Sequence, residues 1–365
     1  MARVASAAGV LLAAAFAAGA AAQPPVAPSS PEAIRAVVLE EMGRRGIPGL
    51  SLAIVEAGVV RYEAGFGYSD VENDVPARAE TVYRLASVSK PMTAVTVLEL
   101  YEQGRLDLDA PVWRYCPDFP EKPWPITARE LLSHQGGIRH YRPDEPSLTR
   151  RFSSFAESLA VFRDDPLLFE PGTATQYSTY GYNLLGCVAA GAASKSFLTL
   201  LREGVFEPSG MTSARDDDQR ELIPNRAQGY FRDSDGRLRN SGLTDTSYKV
   251  PGGGLCATAA DVARFGSALV SGRLLQPSTL DLMLTRQRTR DGRTTGYGLG
   301  LVLGEREGRL EAWHQGGQER VSTLVYLLAD RSVAQRGRAV AILTNLEGVQ
   351  PHILALARAL ADRLW

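Results

Sequence analysis

Ser87-Val88-Ser89-Lys90 opens a run to Gln103 in which Met92, Val95, Val97, Leu98 and Leu100 supply an apolar side. Gly104 closes that run, so the spacing predicts a helix over 87–103. On a helix, residues three apart share a face, so the Ser87 hydroxyl and the Lys90 amine can meet. A serine at a helix start also has free backbone N–H groups nearby, and the helix dipole there favours developing negative charge. A partly desolvated lysine beside it can lose its proton and serve as the serine's base. Ser-x-x-Lys alone is a short pattern, equally readable as a helix cap followed by a surface lysine.

Working outward, Pro31 to Arg45 carries Ile34, Val37, Val38 and Met42 at helical spacing and stops at Gly46. Leu50 to Val60 and Val82 to Leu85 are β-rich. Residues 309–314, 320–329 and 338–345 read as three strands, and 348–364 as a helix with Val349, Ile353, Leu356, Leu360 and Leu364 on one face. The middle, rich in Pro, Gly and charge, predicts helices at 127–133, 152–162 and 180–193. That order implies an antiparallel sheet made by both chain ends, hence an α/β (α+β) fold. One lobe comprises residues about 31–110 and 246–365, and a mainly helical lobe spans about 111–245.

Composition narrows function. The 365 residues are 44% hydrophobic, 22% charged and 8% aromatic, with a formal net charge of -1. This is ordinary globular composition, with no basic excess to attract nucleic acid or an anionic membrane. A small molecule or peptide is the expected partner. Residues 1–22 carry Arg3, an Ala-rich apolar run and Ala20-Ala21-Ala22 before Gln23, which reads as a secretory signal peptide. Residues 23–30 read as a flexible leader, and no later segment is apolar enough to span a bilayer. Secretion, into a bacterial periplasm, is therefore expected. Cys116, Cys187 and Cys256 form no C-x-x-C pair and read as small buried residues, with one disulfide left possible. There is no G-x-S-x-G, H-E-x-x-H, Walker loop or G-x-G-x-x-G, and four histidines make a metal site hard to build. No cofactor and no metal are expected.

Three further motifs follow the first in order. These are Tyr177-Ser178-Thr179 after Glu170-Pro171-Gly172, Gly252-Gly253-Gly254-Leu255 with Asp261 beyond it, and His314-Gln315-Gly316-Gly317 on a strand. Together with Ser-x-x-Lys, they make residues 31–365 resemble the serine hydrolases of the penicillin-binding-protein and class C β-lactamase group. The stretches RLDLDAPV, FPEKPWPIT and LLSHQGGIRHY between Arg105 and Tyr141 resemble its mitochondrial serine β-lactamase-like branch and bacterial relatives. The resemblance implies a β-lactamase/transpeptidase-like fold. It implies Ser87 as nucleophile, Lys90 as its base, and Tyr177 sharing proton transfer. The backbone N–H groups of Ser87 and Gly317 would form the oxyanion hole. His314, Gln315, Gly316 and Thr179 would contact substrate.

The chain departs from the family pattern twice. Thr179 stands where Asn is usual, although the mitochondrial-type branch shares this, and His314-Gln315 replaces the Lys-Thr of β-lactamases. The expected activity is acyl-enzyme hydrolysis of a peptide, amide or ester. A true β-lactamase or D-alanyl-D-alanine carboxypeptidase ranks below it, because a substrate carboxylate is best held by a permanent cation and a hydroxyl. A non-catalytic penicillin-recognising or scaffolding protein ranks last. Arg139 and Arg320 are candidate replacements for the missing charge, with a solvated surface position the plainer reading of each. His134 is expected to brace a turn near the pocket.

Overall fold

The computed structural model describes residues 30–329 and 337–365; the expected signal peptide and all of the leader before Ser30 lie outside them. Helix α1 (Pro31–Arg45) begins where the Ser30 side chain accepts from the Ala33 N–H, with Pro31 in the first turn. It ends at Gly46, whose φ of 58° supplies the left-handed cap. The β-rich stretch after it resolves into a hairpin, β1 (Gly49–Glu56) and β2 (Val59–Asp70), with a short β3 (Val75–Pro76). The C-terminal third adds β4 (Val302–Arg306), β5 (Arg309–Gln318), β6 (Val321–Ala329) and β7 (Arg338–Thr344). These form one antiparallel sheet in the order β3-β2-β1-β7-β6-β5-β4, so the two chain ends meet at β1 and β7.

Alternation along the strands divides the core. On β6 and β7, Leu324, Tyr326, Leu328, Val340 and Ile342 face α1 and the last helix, α5 (Gln350–Leu364), which supplies Ile353, Leu356 and Leu360. The intervening Val325, Leu327, Ala339, Ala341 and Leu343 join the other core, with α2 (Ser89–Glu102), α3 (Thr179–Ala193) and α4 (Ala259–Val270). Helix α4, absent from the sequence reading, packs directly on the sheet. A Cβ on its Gly266 would crowd Leu327 and Ala339. Each fully buried Leu, Ile or Val side chain here contributes about 1.5–3 kcal/mol relative to exposure.

Two local expectations change. Of the 82–85 stretch, only Tyr83–Arg84 is strand, and it pairs with Leu255–Ala257 in a separate small sheet rather than joining the main one. Cys116 and Cys187, 71 residues apart, are joined by a disulfide that ties the loop after Val112–Arg114 to α3. Only Cys256 stays a free, buried thiol, and burial pushes its pKa up to about 12. Among the described residues, no single helix is long and apolar enough to cross a membrane, and no group of three or more potential metal ligands occurs.

Candidate active site

The 87–103 run begins one turn differently from expectation. Ala86–Val88 form a 3-10 turn, and α2 proper starts at Ser89. Ala86 has a φ of 48°, a left-handed value unusual for a residue with a side chain. Neighbours hold the turn in place: the Thr323 hydroxyl of β6 donates to the Leu85 carbonyl at 2.7 Å. A Cβ on Gly316 would overlap that carbonyl and the Thr323 hydroxyl, so glycine is what lets strand β5 approach the turn so closely.

Ser87 and Lys90 do meet. Lys90 Nζ lies 2.8 Å from Ser87 Oγ, 3.1 Å from Thr179 Oγ1 and 2.6 Å from the Gly252 carbonyl oxygen. The lysine side chain is fully buried, and burial first, then the like charge of Lys249, holds its pKa well below the usual lysine value. A neutral amine has two N–H groups and one lone pair. With the N–H groups given to Gly252 and Thr179, the lone pair is free to accept the Ser87 proton. On the other side, the Tyr177 hydroxyl donates to Ser87 Oγ at 2.7 Å. Burial raises the Tyr177 pKa above that of an ordinary tyrosine, so it remains a phenol and a proton donor.

Two histidines hold the Tyr177-Ser178-Thr179 turn. His134 Nδ1 accepts from the Ser178 N–H and His140 Nδ1 from the Thr179 N–H, each at 3.2 Å. Both rings pack on Tyr177, with centroids 4.5 and 5.4 Å away. Burial pushes the His134 pKa well below its normal value and that of His140 to about 4, so both rings are neutral acceptors. His134 thus braces a turn beside the pocket, as the sequence reading expected; the equivalent place of His140 was not foreseen. Ser178 caps α3, its Oγ accepting from the Gly181 N–H.

A cavity of about 260 Å³ opens here, with Ser87, His140, Tyr177, Thr179, Gln315 and Gly317 among its walls. His314 and Gly316, expected to contact substrate, are not among its lining residues. His314 is buried, its ring centroid 6.2 Å from that of Tyr177, and Nδ1 lies 2.8 Å from the Gln315 carbonyl oxygen. Burial, then Lys90, lowers its pKa to about 3. Gln315 reaches across to the Gln350 carbonyl at 2.5 Å, fastening β5 to the start of α5. A Cβ on Gly317 would overlap the Gln350 amide.

Neither arginine takes the solvated position expected. Arg139 is largely buried in ion pairs with Glu145 (2.7 Å) and Asp165 (2.5 Å), and partly buried Arg320 donates to Gln228 at 2.6 Å. Neither lines the cavity. The lining residues missed by sequence reasoning are Lys249, His140, Tyr141, Gln318 and Gln350. His140 and Tyr141 close the already quoted LLSHQGGIRHY, and Lys249 stands three residues before Gly252-Gly253-Gly254, whereas Gln318 and Gln350 carried no signal.

Known proteins share this arrangement of chain. The chain is 29% identical to the human serine beta-lactamase-like protein LACTB, mitochondrial, over 86% of its own length and 76% of that protein. It is 28% identical to a penicillin-binding protein of Bacillus subtilis (strain 168), covering 80% and 68% respectively. Among solved structures, the octameric penicillin-binding protein homologue from Pyrococcus abyssi superimposes with a TM-score of 0.77 at 26% identity, over 90% of this chain and 76% of that one. The Beta-lactamase family model matches residues 34–363, which takes in the serine turn, both helices that meet at Lys90 and strand β5. The chain therefore belongs to the beta-lactamase family and has its fold.

Proposed function

We propose that this chain is a secreted serine hydrolase acting through a covalent acyl-enzyme on an ester, amide or peptide bond. The observation that carries this reading is Ser87 Oγ held between Lys90 Nζ at 2.8 Å and Tyr177 Oη at 2.7 Å, at the wall of a cavity. Lys90 takes the Ser87 proton as the oxygen attacks the carbonyl carbon. The resulting oxyanion is received by the backbone N–H groups of Ser87 and Gly317. As the tetrahedral intermediate collapses, Tyr177 gives its proton to the leaving oxygen or nitrogen and recovers one from Lys90. Water then attacks the acyl-enzyme, Lys90 with Tyr177 takes its proton, and Ser87 leaves with a proton restored.

The hydroxyl of Thr179 holds the neutral Lys90 rather than acting as an amide mimic. With His314 buried and neutral, and Gln315 uncharged, strand β5 brings no cation to a substrate carboxylate. Ester, amide and peptide hydrolysis therefore ranks above β-lactam turnover, for which the β-lactamase pattern places its Lys-Thr on this very strand. The Ala-rich N-terminal run and the Cys116–Cys187 bond both fit an oxidising, extracytoplasmic compartment.

The test is intact mass spectrometry of residues 23–365 after exposure to a fluorophosphonate, beside the Ser87→Ala variant. A single adduct on the wild type and none on the variant is expected. A folded wild-type protein that takes no adduct sinks the reading.

A further inference from the structure

Lys249 is 1% exposed and belongs to the same cavity wall as Ser87. It ends the short 3-10 turn Ser247–Lys249, which α3 holds through the Asn183 side-chain amide donating to the Tyr248 carbonyl at 2.8 Å. Among the described residues, Lys249 Nζ makes no hydrogen bond and no ion pair within 4.0 Å. It stands over the rings of Tyr141 and Tyr248, 5.2 Å from each centroid. Asp217 acts on it only at longer range and is already paired with Arg84 at 2.6 Å and Arg226 at 3.0 Å. Glu319 acts on it from beyond ion-pair distance, and Arg84 is the like charge nearby.

Burying an ammonium without partners is costly. Here the cavity is the place where a partner can be supplied. Among its lining residues Lys249 is the sole lysine or arginine, and no aspartate or glutamate lines it. The lining histidine, His140, is neutral.

We propose that Lys249 is the anion anchor of this site, and that the preferred substrates carry a carboxylate placed to reach it while their scissile carbonyl sits at Ser87. The inference rests on the serine-hydrolase reading and names its substrate class. The charge that His314-Gln315 does not supply from strand β5 comes instead from the turn before Gly252-Gly253. Lys249 is a binding residue: it orients substrate and takes no part in bond making.

The test uses two matched ester pairs at pH 7 and low ionic strength. One pair is p-nitrophenyl hydrogen adipate against p-nitrophenyl butyrate, with the carboxylate on the acyl side. The other is 3-carboxyphenyl butyrate against 3-acetylphenyl butyrate, with the carboxylate on the leaving group. In at least one pair the wild type prefers the anionic ester by about tenfold in kcat/KM, expressed mainly in KM, the scale of a charge-assisted hydrogen bond. That ratio falls to near one in Lys249→Gln. Removing Lys249 also removes a like charge from Lys90 and shifts the rates on both esters, so the ratio is the readout. If Lys249→Gln does not fold, the wild-type ratios decide: a preference that fades as pH rises through about 8, where Lys249 loses its proton, supports the proposal.

Ser87-dependent hydrolysis of both members of both pairs with ratios near one overturns it, as does a preference unchanged in Lys249→Gln. A ratio near one together with a lower melting temperature for Lys249→Gln also overturns it, marking Lys249 as a structural counter-charge to Glu319. No hydrolysis of any ester and no fluorophosphonate adduct is a different result, which fells the serine-hydrolase reading itself.

Discussion

Lys90 and Lys249 are both buried at the candidate site, yet among the described residues one has three polar partners and the other has none. Lys90 stands among groups that accept its N–H bonds and one that can hand it a proton. Both lysines also face two tyrosine rings, Lys90 those of Tyr177 and Tyr182 and Lys249 those of Tyr141 and Tyr248, so what separates them is the polar partners and not the rings. Desolvation lowers both, Lys90 far below its normal value and Lys249 only to about 8. At neutral pH, then, the first is a base and the second still a charge. Burial alone does not say what a lysine does; its partners divide the roles.

The largest effect that would break this contrast is loss of the base. Lys90→Met should cut kcat by about 10³-fold, within the range of a positioned general base, measured on p-nitrophenyl butyrate beside the thermal melt. A rate near wild type would remove Lys90 from the chemistry. Tyr177→Phe keeps the ring packing on His134 but removes the hydroxyl 2.7 Å from Ser87. Its expected cost is about 100-fold in kcat, larger for amides than for activated esters, because poor leaving groups need its proton.

Thr179→Val sharpens the picture by removing one acceptor of the Lys90 N–H bonds while leaving the shape alone. A loss of about tenfold is expected, with the acid limb of the pH–rate profile displaced. An unmoved profile would mean Thr179 does not position Lys90. The mildest effect is the pH dependence itself. Because the Lys90 pKa is depressed, the active neutral form is lost only as pH falls through that lowered value. Because the Tyr177 pKa is raised, its phenol persists on the alkaline side. Activity on a neutral ester should therefore hold across pH 7 to 9, where an unperturbed lysine would still be largely protonated.

Much of the frame was readable beforehand. Helix α1 matches its expected limits because Ser30, Pro31 and Gly46 are local signals, and the last strands match because side chains alternate with a period of two. The start of α4 was marked by Thr258, whose side chain accepts from the Asp261 N–H, and its apolar residues recur at helical spacing; the sequence reading passed over both signals. Within the site, Ser87, Lys90, Tyr177 and Thr179 were legible from motif order, and their roles remain the proposal tested above. The burial of His314 was not legible, since a strand position does not say which layer covers it.

By itself the sequence determined what depends on near neighbours. Three-residue spacing brings Ser87 and Lys90 onto one side, and caps start the helices. Tertiary structure alone decided the rest. It joined Cys116 to Cys187 across 71 residues, set His140 under the Thr179 N–H, buried His314 out of the cavity and left the Lys249 ammonium bare. Helix and strand periods order side chains over a few residues. Which distant side chain meets which, and how much water reaches it, is settled only when the layers pack.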